Sequence, residues 1–168
     1  MIATRLTILR IFIAPLFAYT FFAYPATALL LVIVSEASDI ADGILARRKG
    51  ESSDFGKLLD PMADQIARLT VFLCFLSINI APLWTVLCIL WRDIMVSFLR
   101  LLSAKEGVVI SARMSGKIKA LFQGSGIIFI MALIVSDSYL EIIEYVMGAV
   151  AVVTVWSGVD YLWSFLKR

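Results

Sequence analysis

Six runs of apolar residues, each about long enough to cross a bilayer, leave this chain little choice of fold. They lie at roughly 6–23, 26–46, 56–78, 83–103, 115–136 and 141–165. A membrane helix needs about 20 predominantly apolar residues. The chain is 61% hydrophobic and 17% charged, with a mean hydropathy of +0.95. A soluble domain is nearer 45–50% apolar and about 25% charged. The expected fold is therefore an all-α integral membrane protein of six transmembrane helices in a single domain, 1–168. The first segment, IATRLTILRIFIAPLF, reads as beginning with a short interfacial amphipathic helix before Pro15. It does not read as a cleaved signal peptide, because Arg5 and Arg10 interleave with the apolar residues and no small-residue cleavage site follows.

Charge orients the spans. Arg5 precedes the first span, with Arg10 nearby. Arg47, Arg48, Lys49 and Lys57 gather at the second break, and Lys105, Arg113 and Lys117 at the fourth. Lys167 and Arg168 end the chain. The breaks near residues 24, 80 and 138 contain no Lys or Arg. Positive loops stay on the cytoplasmic side, which places both termini there. A net charge of +2 is too weak to imply a nucleic-acid partner. No internal repeat is evident, which weighs against an inverted-repeat transporter. Cys74 and Cys88 lie in apolar runs and read as packing residues. Trp84, Trp91, Trp156 and Trp163 read as packing or as an interface belt. The chain has no histidine, so the commonest general base and transition-metal ligand is missing.

Against this background, the stretch SDIADGILARRKGESSDFGKLLDPMAD at 38–64 stands out. Asp39, Asp42 and Ala46 repeat at three and four, so a helix presents them on one face. Gly56, Asp60 and Asp64 repeat at four and share a face of the next helix. The two helices form a hairpin through the basic turn at 47–55. Asp42 and Asp60 each lie about five residues from that turn, some 7 Å below it at ~1.5 Å per residue. Asp39 and Asp64 lie about a turn deeper. Four carboxylates cannot all ionise side by side in a poorly hydrated place without cations. An oxygen-only ligand set selects hard ions, Mg²⁺ or Mn²⁺ first, and two divalent ions balance four aspartates. Gly43 and Gly56 leave room for a bulky group to approach the helix backbone, Ala46 continues that small face, and Arg47 can reach a phosphate. A solvated acidic loop face is the bland alternative, but surface acids do not keep this spacing with Gly and Ala on the same faces.

The pattern Asp39-x-x-Asp42-Gly43-x-x-Ala46-Arg47, then Gly56-x-x-x-Asp60-x-x-x-Asp64, resembles the signature of the CDP-alcohol phosphotransferase family. The resemblance implies six transmembrane helices, metal ligation by Asp39, Asp42 and Asp60, and a homodimer. It gives Asp64 the role of catalytic base, shared with metal ligation. The donor's CMP moiety would lie along Asp42, Gly43, Ala46, Arg47, Gly56 and Asp60. Within the family, the stretch WRDIMVSFLRLLSAKEGVVISARMSGKIKALFQG at 91–124 is similar to the bacterial branch that takes CDP-diacylglycerol as donor and glycerol 3-phosphate as acceptor, in phospholipid biosynthesis at the inner membrane. The similarity rests on Arg92-Asp93, Arg100, Gly116-Lys117-Ile118-Lys119 and Gln123. Arg92, Arg100, Arg113 and Lys117 are the expected acceptor-phosphate residues.

Three positions depart from the family's usual pattern. Thr4 stands where Asn is usual, Gln65 where Lys follows the last aspartate, and Glu36 adds a carboxylate one turn below Asp39. Arg68 then reads as the replacement for the missing Lys, paired with Glu36 or Asp60. Arg48, Lys49, Lys105 and Lys119 read as lipid-headgroup anchors. For Arg113 and Lys117, anchoring and acceptor binding stand level. Arg92 lies too deep to anchor, so it pairs with an acid or binds substrate phosphate. Other functions in view are the same chemistry with inositol phosphate, serine or a CDP-choline donor, a magnesium channel or transporter, and a non-catalytic lipid-binding scaffold.

Overall fold

The computed structural model describes residues 2–49, 54–105, 113–138 and 141–167; within these, the side chains of 2–10, 39–49, 54–60 and 104 lie outside the description. The described residues form six α-helices and no strand: α1 (Ile2–Ala23), α2 (Pro25–Lys49), α3 (Asp54–Ser77), α4 (Leu83–Lys105), α5 (Met114–Ser136) and α6 (Ile142–Leu166). Each coincides with one apolar run to within a few residues. Two helices, α5 and α6, are long and apolar enough to cross a membrane by length and composition, with hydropathies of 2.0 and 1.8. The centre of α4 is interrupted by Arg92, Asp93 and Arg100.

The ends of the runs follow local chemistry. Asn79 and Asp137 take positive φ, 61° and 50°, a conformation that Asn and Asp tolerate better than other side-chain-bearing residues. Each closes its helix in the same way. Asn79 N–H donates to Leu76 O at 3.0 Å and Ile80 N–H to Phe75 O at 3.1 Å. Asp137 N–H donates to Ile134 O and Ser138 N–H to Leu133 O, at 3.3 and 3.1 Å. These are paired Schellman bonds.

Two local expectations need correction. No separate interfacial helix ends before Pro15; α1 runs unbroken through it. A proline costs one rung of the backbone ladder, which packing against neighbouring helices can absorb. The basic residues 47–49 lie on the last turn of α2, not in a turn between helices. Arg and Lys are good helix formers, and a helix C-terminus favours cations.

The helices form a ring in the order α1, α2, α5, α6, α4, α3, closed by α1 against α3, with α3 also touching α5 across the middle. Among the described residues, α2 and α3 do not pack directly; α1 and α5 lie against both. Short connections between successive helices make neighbours in sequence run antiparallel. The apolar core therefore sits at one end, built from the C-terminal halves of α1, α3 and α5 and the N-terminal halves of α2, α4 and α6. Phe21, Phe72, Phe75, Ile130, Met131, Ile143 and Met147 are all buried there. Phe21 and Phe75 meet with ring centroids 5.9 Å apart, Phe72 and Phe75 edge-on at 6.3 Å. The outer faces are apolar as well, with Phe12, Tyr19, Trp91, Tyr145 and Trp163 all at least 60% exposed. The four tryptophans face outward and do not pack the core. Cys74 is buried in the core and Cys88 is half-buried.

Candidate functional site

The other end of the bundle is polar. It joins the C-terminal halves of α2, α4 and α6 to the N-terminal halves of α3 and α5. Backbone placement fits the signature: positions 39, 42, 43, 46 and 47 lie on α2, and 56, 60 and 64 on α3. The side chains of Asp39, Asp42, Ala46, Arg47 and Asp60, and the surroundings of Gly43 and Gly56, lie outside the described residues. Asp64 is described and half-buried. No cluster of three or more His, Cys, Asp or Glu occurs among the described residues.

One turn below the signature, Glu36 of α2 and Arg68 of α3 form a two-point ion pair. Arg68 Nε donates to Glu36 Oε1 at 3.2 Å and Nη2 to Oε2 at 3.1 Å. The Arg68–Glu36 alternative of the sequence reading is thus the geometry found. The pair rests on α5: a Cβ built at Gly124 would lie 2.5 Å from Glu36 Oε2. Beneath it is a small cavity of about 30 Å³, about one water in size, walled mainly by apolar residues of α1, α2, α3 and α5.

Gln65, in the position where Lys is usual, turns away from Glu36 and toward α4. Its amide bonds Ser97 Oγ at 2.8 Å and the Asp93 carbonyl at 3.4 Å. It acts as a tie between α3 and α4.

A buried polar network links α4, α5 and α6 through Asp93. Lys119 Nζ lies 2.8 and 3.0 Å from its two carboxylate oxygens, and Arg92 Nη1 lies 2.9 Å from Oδ1. Arg92 Nη2 also donates to Ser157 Oγ at 2.7 Å. The close approach of α4 and α6 depends on Gly158, where a Cβ would come within 3.0 Å of Arg92 Cγ. Lys119 is only 6% exposed, which overturns its reading as a headgroup anchor: residue 119 lies on the inward face of α5, and distance from the loop does not reveal which face that is.

A second knot surrounds Tyr161 of α6. Its hydroxyl accepts from Arg100 Nη2 at 2.8 Å and from the Arg113 backbone N–H at 3.1 Å. Its ring lies under both Arg92 and Arg100, 5.4 and 5.3 Å from centroid to guanidinium carbon. Arg113 forms a fork with Asp160 at 2.7 and 2.8 Å, and Ser115 Oγ also donates to that carboxylate. Gly116 accommodates the Tyr161 hydroxyl, which would lie 2.9 Å from a Cβ there. Three of the four expected acceptor residues, Arg92, Arg100 and Arg113, thus meet around Tyr161. Lys117 is exposed on the outer side of α5.

The sequence reading missed Ser157, Asp160 and Tyr161. A signal for them existed. Thr154, Ser157 and Tyr161 recur at three and four in an otherwise apolar helix, and all three are buried. Four cations, Arg92, Arg100, Arg113 and Lys119, face two carboxylates, Asp93 and Asp160, in this region. The Nε atoms of Arg92 and Arg100 are buried with no acceptor among the described residues. Of the four cations only Arg92 and Lys119 are buried, and a local excess of cations over carboxylates is a setting that an anion would stabilise.

Comparison with known proteins places this geometry in context. The family model for CDP-alcohol phosphatidyltransferase matches residues 1–157. The CDP-diacylglycerol–glycerol-3-phosphate 3-phosphatidyltransferase of Treponema pallidum is 40% identical over 63% of this chain, and the match spans about half, 49%, of that relative's length. The Bacillus subtilis protein of the same name is 35% identical over 86% of this chain and 77% of its own. A probable phosphatidylglycerophosphate synthase of Mycobacterium tuberculosis is 31% identical over 99% of this chain and 82% of its own.

Proposed function

The chain belongs to the CDP-alcohol phosphatidyltransferase family, a family of transferases, and from that membership we propose that it moves the phosphatidyl group of CDP-diacylglycerol onto the hydroxyl of glycerol 3-phosphate. The observation that carries the choice of a phosphorylated acceptor is the cationic excess around Tyr161 and Asp93, with two arginine Nε donors that have no acceptor among the described residues. A phosphorylated acceptor supplies the missing negative charge; serine, a zwitterion with no net charge, does not. The names of the relatives point the same way.

The carboxylate set of Asp39, Asp42, Asp60 and Asp64 fits Mg²⁺ or Mn²⁺ by donor chemistry, being all oxygen in a chain without histidine. Two such ions would neutralise the donor's diphosphate and stabilise the departing phosphate. The rest is work for the chain's own residues. Gly43, Ala46 and Gly56 leave the nucleotide room, and Arg47 holds a donor phosphate. Arg92, Arg100 and Arg113 orient the acceptor's phosphate, and the buried Lys119 joins them; Lys117, exposed away from this cluster, does not, and keeps only its anchoring role. Asp64 takes the proton of the acceptor hydroxyl. The oxygen then bonds to the phosphorus that carries the diacylglycerol, and the bond from that phosphorus to the bridging oxygen breaks. CMP leaves with that oxygen.

The reading includes six helices across a bacterial-type inner membrane, with both termini and the active site cytoplasmic and the chain paired as a homodimer. The basic residues at the polar end and the apolar outer faces support it. A magnesium channel fits less well, because the apolar half of the ring is filled with buried Phe, Ile and Met.

The test is CMP release by the purified protein with CDP-diacylglycerol and Mg²⁺ across a panel of acceptors. Release with glycerol 3-phosphate, abolished by chelator and restored by Mg²⁺ or Mn²⁺, is expected. Release with serine or inositol phosphate in its place would reassign the acceptor. Release that persists in chelator would remove the metals, and no release with any acceptor would turn the test first to a different CDP donor such as CDP-choline and then to the non-enzyme readings.

A further inference from the structure

Among the described residues, the two helices that carry the signature make no close backbone approach. The described contacts that bear on the distance and rotation between their carboxylate faces are the packing of α1 and α5 against both and a direct side-chain link, the Glu36–Arg68 fork. Glu36 lies three residues before Asp39, and Arg68 four after Asp64. Each therefore shares a helix face with the aspartate about 5 Å above it. The Glu36–Arg68 fork spans the gap directly below these two aspartates.

Three features make this fork rigid. It is bidentate, which fixes orientation as well as distance. It is largely shielded, with side-chain exposures of 22% for Glu36 and 12% for Arg68. It is also seated on Gly124, where any side chain would push the Glu36 carboxylate away. The cavity below is walled mainly by apolar side chains, so a displaced carboxylate has little there to bond to.

We propose that the Glu36–Arg68 pair, seated on Gly124, is a positioning device that sets the separation and phase of the α2 and α3 carboxylate faces, and with them the affinity of the site for divalent cations. The proposal rests on the metal-dependent reading above. Neither residue touches the reacting atoms; both act through Asp39 and Asp64.

Charge and position predict different signs, so they can be separated. By charge alone, Glu36→Gln removes an anion near the site and weakens cation binding, whereas Arg68→Gln removes a cation and strengthens it. As a positioning device, the pair fails when either half is lost, and both substitutions weaken binding. Mn²⁺ binding to the purified full chain, read by electron paramagnetic resonance without lipid substrates, is the experiment. The expected result is a loss of affinity of about tenfold in both single variants, with the double variant no worse than either. Gly124→Ala keeps both charges and shifts only the carboxylate, and it should weaken Mn²⁺ to a similar degree; it decides the matter if a charge variant does not fold. Opposite signs in the two single variants, unchanged affinity alongside lower thermal stability, or multiplicative losses in the double variant would each overturn the proposal. If the wild-type chain binds no Mn²⁺, the metal reading itself falls, an outcome distinct from wild-type binding that the variants leave unmoved.

Discussion

Asp93 holds two cations at once in a place with little water, and removing its charge should be costly. The Asp93→Asn substitution keeps the size and an acceptor oxygen, so the change is mainly electrostatic. Arg92 and Lys119 both lie within 3.0 Å of the carboxylate, and the side chains of all three are no more than 11% exposed. Each pair is worth about 4 kcal/mol at an effective dielectric constant of about 20. Against that roughly 8 kcal/mol stands the desolvation of Asp93, several kcal/mol, which its neutral replacement no longer bears. The net loss is about 3 kcal/mol, within the range for breaking a buried pair from one side. For a chain of this size, each kcal/mol moves the melting point by about 2–4 °C, so the shift should be about 6–12 °C. Cys74 is buried in the apolar core, so a thiol-reactive fluorogenic dye reports unfolding in detergent at a fixed heating rate. Adding Lys119→Met to Asp93→Asn removes one of the two stranded cations and should recover about half the loss. A shift under about 2 °C for Asp93→Asn, or a double variant as unstable as the two single losses added together, would refute the reasoning.

Three further outcomes are expected. Asp64→Asn should abolish turnover and leave CDP-diacylglycerol binding measurable by equilibrium binding; wild-type turnover would end its role as base. Among the glycines, Gly116→Ala should disturb Tyr161, 2.9 Å from the new Cβ, and raise the KM for acceptor more than that for donor. Gly148→Ala meets nothing within 4 Å and should be neutral or stabilise by about 0.5–1 kcal/mol, read as the melting point.

Nearly all of the helical layout was legible, because apolar run length and charge at the breaks are set locally. Asn79 and Asp137 mark stops that the runs already showed. The signature's placement on α2 and α3 was legible for the same reason, since spacings of three and four mean one face only if the chain is helical, and it is. What could not be read was which helices meet. A hairpin joining α2 to α3 suggests that they pack together, yet α1 and α5 are the helices that lie against both. Lys119 looked like an anchor because its sequence neighbours are basic, and its partner Asp93 lies 26 residues away on another helix. Ser157 and Tyr161 passed as ordinary residues of an apolar segment, because a hydroxyl in such a helix can satisfy itself locally. Thr20 does so, bonding the carbonyls of Leu16 and Phe17. The Glu36–Arg68 pair was among the alternatives because an unexpected acid and an unexpected base fell one turn below two signature aspartates.

The ring of helices is made of two materials. If the bundle sits in lipid, as proposed, its apolar half holds by shape: an apolar side chain gains little by trading a lipid tail for a protein neighbour, so close fit does the work. Its polar half is tied by ion pairs that bridge different parts of the bundle: Glu36 with Arg68, Asp93 with Lys119 and Asp160 with Arg113. Under the proposed reading, a change of acceptor would be written in the polar half, at positions such as 65, 92, 100 and 119. The apolar half carries none of these residues and would stay as it is, a chassis on which another head-group chemistry could be mounted without refolding the chain.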